Sequence, residues 1–91
     1  MSLEYYKKHM IDLRAKLDKE KEAKKKDNER YAGLIKNTTS ASNKASYRKQ
    51  KIDRAASHDR SIESIKRQIE NCKESIAKER TNMEYCLLGN E

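Results

Sequence analysis

The chain has no tryptophan, no phenylalanine and no proline, and only two glycines and two cysteines among its 91 residues. Without proline, and with Gly33 and Gly89 as the only glycines, it lacks the turn residues that an all-β fold needs. Hydrophobic residues make up 34% and charged ones 41%, and a chain this small buries proportionally little surface, which argues against a compact α/β enzyme core. No run approaches the ~20 apolar residues of a membrane span, and no hydrophobic stretch resembles a signal peptide. The expected location is therefore the cytosol. Asn37-Thr38-Thr39 matches a glycosylation sequon, but it carries no weight without a secretion signal.

What remains is a chain rich in Lys, Glu, Ala and Ile, a composition that points to long helices. Leu3, Tyr6, Met10, Leu13 and Leu17 recur at spacings of 3, 4, 3 and 4, the seam of a coiled coil. The same register continues through polar Glu20, Lys24 and Asp27 before Tyr31 and Leu34 restore it. Lys, Glu and Ala keep helix propensity high across that gap, so the first helix is expected over about 3–36. Asn37-Thr38-Thr39-Ser40-Ala41-Ser42-Asn43 favours a turn, because short hydroxyl and amide side chains compete with the backbone for hydrogen bonds. Thr39, Ser40 or Ser42 then caps a second helix over about 44–88. Its seam reads Ile52, Ala55, Asp59, Ile62, Ile65, Ile69, Cys72, Ile76, Glu79, Met83 and Cys86.

Folding the chain at 39–40 sets position i opposite about 79 minus i, and the two seams match. Leu17 meets Ile62, Met10 meets Ile69 and Leu3 meets Ile76. Nearer the turn, Glu20, Lys24 and Asp27 face Lys51, Ala55 and His58–Asp59, so polar stretches coincide. The expectation is an all-α, two-helix antiparallel coiled-coil hairpin. One narrow stripe per helix rarely offsets chain entropy in water, so the hairpin is expected to be completed by oligomerisation or by docking on a larger protein. Met83, Tyr85, Cys86, Leu87 and Leu88 overhang the first helix and form the densest apolar cluster, an expected partner interface.

The segments 31–54 and 62–79 resemble the N-terminal helical hairpin that precedes the TIR domain in some bacterial TIR proteins and related defence effectors. In that family the hairpin oligomerises and senses, while a downstream TIR domain acts on NAD. The resemblance implies a regulatory or partner segment. It carries over no catalytic residue, because these 91 residues resemble only the hairpin and not the TIR domain.

No motif for catalysis stands out. His9 and His58 have no neighbours at helical spacing that complete a metal-ligand set, and Cys72 and Cys86 lie about 20 Å apart along a helix, too far for a disulfide or one zinc. No cofactor is implied, and the chain is read as a non-catalytic assembly or adaptor module. A second reading uses the net charge of +7. Lys24, Lys25, Lys26, Lys44, Arg48, Lys49, Lys51 and Arg54 gather toward the turn and offer contacts to nucleic-acid phosphates. Interleaved Asp and Glu residues also fit a solvated helix surface. A small helical secretion partner or an inhibitory protein is a third reading, although the W-x-G turn of one such secretion family is absent.

Overall fold

A computed structural model describes the backbone of residues 3–89 and the side chains of residues 3–82. Two helices, α1 (Leu3–Asn37) and α2 (Ala41–Gly89), fold back on each other as an all-helical hairpin. The turn is three residues, Thr38 to Ser40, tighter than the seven-residue break that the composition suggests. Ser40 is the cap: its Oγ accepts from the Asn43 N–H at 3.3 Å and its carbonyl from the Lys44 N–H at 3.0 Å. Once Ser40 supplies those acceptors, Ala41, Ser42 and Asn43 can serve as the first helical turn. At the other side, the Thr38 N–H donates to the Leu34 carbonyl at 3.2 Å.

The cross-helix contacts fix the direction of pairing. The Cys72 thiol donates to the Tyr6 carbonyl at 3.1 Å, and His58 lies 2.6 Å from Glu20. Rising numbers on α1 therefore meet falling numbers on α2, as in an antiparallel pair. The core is a single cluster of Met10, Leu13, Ile69 and Cys72, with Tyr6, Leu17, Ile65 and Ile76 packed against it. Leu13 is its centre at 1% exposure. Leu3 and Ile62 are half-buried, and Tyr31 is buried separately near the turn.

The rod measures 77 × 15 × 14 Å, with a radius of gyration of 21.2 Å against about 12 Å for a globular chain of this length. Its 7191 Å² of accessible surface exceeds the about 5,500 Å² of a globular monomer of equal mass. With Cys72 beside Tyr6, the first residue of α1 lies near Ile76, and the α2 backbone continues past it to Gly89. The cluster Met83, Tyr85, Cys86, Leu87 and Leu88 lies outside the residues whose side chains are described.

Near the turn, the structure departs from the apolar seam read in the sequence at Ile52 and Asp59, while Lys51, Ala55 and His58 face α1 as the fold-back register expects. Ile52 is 68% exposed and Asp59 is exposed, whereas Lys51, Ala55 and His58 are half-buried. The reason is electrostatic. Glu20 and Asp27 on α1 need a cationic donor opposite them, and His58 supplies it where an isoleucine could not.

Candidate functional site

The polar waist of the hairpin is built around His58, whose side chain is 17% exposed. Its Nδ1 lies 2.6 Å from Glu20 Oε1 and its Nε2 lies 2.6 Å from Asp27 Oδ2. Glu20 and Asp27 are two turns apart on one face of α1, so a single imidazole spans the interval between them. Both ring nitrogens face carboxylates, which accept only when ionised, so the protonated imidazolium, with hydrogen on both nitrogens, is the form of the ring that satisfies both at once. The hydrogen bond to Asp27, followed by that to Glu20, raises the pKa of His58 above its ordinary value, against a smaller opposing effect of desolvation. The hydrogen bond from His58 in turn holds the Asp27 carboxyl below its ordinary range, with Arg54 and Arg30 adding to the effect.

Ion pairs extend this waist. Arg30 lies 3.5 Å and Arg54 3.7 Å from Asp27, and Lys24 Nζ donates to Asp59 Oδ1 at 2.5 Å. Arg30 also lies over the Tyr31 ring, 4.9 Å from its centroid. No buried side-chain nitrogen or oxygen among the described residues lacks a partner. A satisfied polar layer of this kind specifies register, because a one-turn slip would separate His58 from both carboxylates.

The waist offers little chemistry. With both nitrogens engaged by carboxylates, His58 has no free lone pair to act as a base toward a third group. Glu20 and Asp27 sit on opposite edges of the ring, and among the described residues no three His, Cys, Asp or Glu side chains converge as a metal site. His9 stacks on Tyr5 with centroids 6.0 Å apart.

The eight basic residues assigned to phosphate contact divide in two. Lys24 and Arg54 are engaged by Asp59 and Asp27 across the hairpin. Lys25, Lys26, Lys44, Arg48, Lys49 and Lys51 have no ion-pair partner among the described residues. No carboxylate occurs from Arg30 to Ile52, so the turn end is uniformly basic.

Sequence reasoning missed the role of His58, whose partners are 38 and 31 residues away. The available signal was the coincidence of polar gaps in the fold-back register. Compared with known protein families, curated proteins and solved structures, the chain matches none. Among the described residues no helix is long and apolar enough to cross a membrane.

Proposed function

We propose that this chain is a non-catalytic helical-hairpin module that assembles with itself or docks on a larger protein in the cytosol. The observation that carries this reading is the mismatch between shape and core. A 77 Å rod is held by one cluster of four buried side chains, with Tyr31 buried apart. Rods of that kind gain stability by covering more of their surface. The longer α2 adds a second support, since the sequence past Lys78 carries Met83, Tyr85, Cys86, Leu87 and Leu88, for which the fold-back register sets no residue of α1 opposite. The waist supports a structural role, because its histidine is committed to holding register. The resemblance to hairpins of TIR-associated effectors suggests the finer version, a subunit of a bacterial defence or signalling complex.

The experiment is truncation after Lys78. The core residues from Tyr6 to Ile76 remain, so circular dichroism should still report a helical hairpin. Light scattering and co-purification should report lost association. Undiminished association of the truncated chain would place the interface elsewhere and refute the role given to the tail.

A further inference from the structure

One side of the hairpin carries a row of open hollows whose walls are chemically distinct. Its middle section, about 690 Å³, is lined by Lys16, Lys19, Glu20 and Ala23 from α1 and by Arg60, Ser61, Ser64 and Ile65 from α2. Toward the open end the lining passes to Tyr5, His9, Gln68, Asn71 and Ser75. Toward the turn it passes to Tyr31, Gln50, Asp53, Arg54 and Ser57, where the one carboxylate, Asp53, adds a negative charge. Ser57, Ser61, Ser64, Gln68, Asn71 and Ser75 follow spacings of 4, 3, 4, 3 and 4, so they form one strip along α2. That strip holds no charge and no large apolar side chain, in a chain whose residues are 41% charged.

The facing strip of α1 runs through Tyr5, His9, Asp12, Lys16, Lys19 and Ala23, again at alternating spacings of 4 and 3. Lys16, Lys19 and Arg60 have no ion-pair partner among the described residues. Glu20 is the only carboxylate in the middle section, and its Oε1 is engaged by His58. Three cations without an ion-pair partner among the described residues therefore line a space whose one carboxylate is engaged by His58. About 21 Å along α1 from Lys19, Tyr5 is 48% exposed and stacks on His9, with 18° between the rings.

We infer that this row of hollows is a binding channel for single-stranded nucleic acid. Lys16, Lys19 and Arg60 take the phosphates, the serine, glutamine and asparagine wall donates hydrogen bonds to the backbone, and the Tyr5–His9 stack receives a base. Unpaired cations and an aromatic platform on one groove are the combination by which a single strand is held without sequence readout. The lining is too polar to seat an amphipathic helix, which needs an apolar floor. A groove between two helices with axes about 8–10 Å apart accepts one strand but not a duplex. The inference is independent of the assembly reading, and places the contacts at the waist and open end rather than at the turn.

The test is fluorescence anisotropy of a labelled oligo-dT 20-mer titrated with the full chain at 50 and 200 mM salt, circular dichroism confirming that each variant folds. Three neutralised phosphates on a single strand predict a salt slope near −2, an about 20-fold loss of affinity over that range. Lys16→Gln, Lys19→Gln and Arg60→Gln combined should lose at least tenfold at 50 mM salt. Lys44→Gln with Lys49→Gln at the turn should lose less than threefold. Tyr5→Ala should weaken oligo-dT binding yet leave inorganic polyphosphate binding unchanged, since polyphosphate has no base to stack. Duplex DNA of the same length and a polyglutamate 20-mer should both bind more weakly than oligo-dT. Unchanged affinity in the triple variant, equal binding of duplex or polyglutamate, or no binding at 50 mM salt would each overturn the inference. Because association is read separately by light scattering, these outcomes leave the assembly reading standing or falling on its own.

Discussion

Replacing Leu13 by alanine tests whether one small cluster carries the hairpin. Leu13 is 1% exposed and sits among Met10, Ile69 and Cys72, with Leu17 and Ile65 beside them. Truncation removes three carbons from the best-packed point of the molecule and leaves a void. Leucine-to-alanine changes in cores cost about 2–5 kcal/mol. A two-helix rod can close part of such a void by a small shift of one helix, so the expected cost is about 2–3 kcal/mol. In a domain of this size that lowers the melting midpoint by about 10–20 °C. The matched control is Ile52→Ala, at a site that is 68% exposed; it should shift stability by less than about 0.5 kcal/mol. Thermal circular dichroism at 222 nm measures both, at one fixed chain concentration because association would couple to the midpoint. If Ile52→Ala costs as much as Leu13→Ala, the inward face of α2 has been misassigned and the reasoning fails.

Three further expectations follow from other parts of the molecule. The raised pKa of His58 contributes stability that is complete below about pH 6.5 and is lost as pH climbs through the folded-state value. The lowered pKa of Asp27 contributes stability above its unfolded value, lost as pH falls through the folded one. The melting midpoint should therefore fall as pH rises above about 6.5, and His58→Gln should flatten that limb; an identical profile in the variant rules the clamp out. A Cβ at Gly33 meets nothing within 4 Å and the backbone there has no positive φ, so Gly33→Ala should stabilise by about 0.5–1 kcal/mol, seen as a higher midpoint. Ile65→Asp places an unpaired charge against the core and should cost about 3 kcal/mol or more; unchanged helicity and melting in that variant would contradict its place in the seam.

The architecture was legible because apolar side chains at alternating spacings of 3 and 4 admit one helical reading, and because two such seams match when the chain is folded at its polar break. Met10, Leu13, Ile69 and Cys72 carry that signal and form the buried cluster. The signal weakens toward the turn. There Ile52 fits the apolar period yet faces solvent, while His58 breaks the period yet points inward. Periodicity registers hydrophobicity and is blind to a polar residue buried by distant partners. Only the start of α2 lies earlier than expected, since Ser40, one of the three expected caps, lets Ala41, Ser42 and Asn43 become helical. The uncharged strip from Ser57 to Ser75 was readable at helical spacing, but its meaning depends on the facing cations, which only the hairpin register brings opposite.

The most direct test of the assembly role is sedimentation equilibrium of the full chain across a hundredfold range of concentration, paired with affinity purification from its native host. The account predicts a mass that rises above the 10.7 kDa of a single chain, with a melting midpoint that rises alongside, or a stoichiometric complex with a larger protein that is lost on truncation after Lys78. A 10.7 kDa monomer at every concentration, melting at one temperature and retaining no partner, would contradict it.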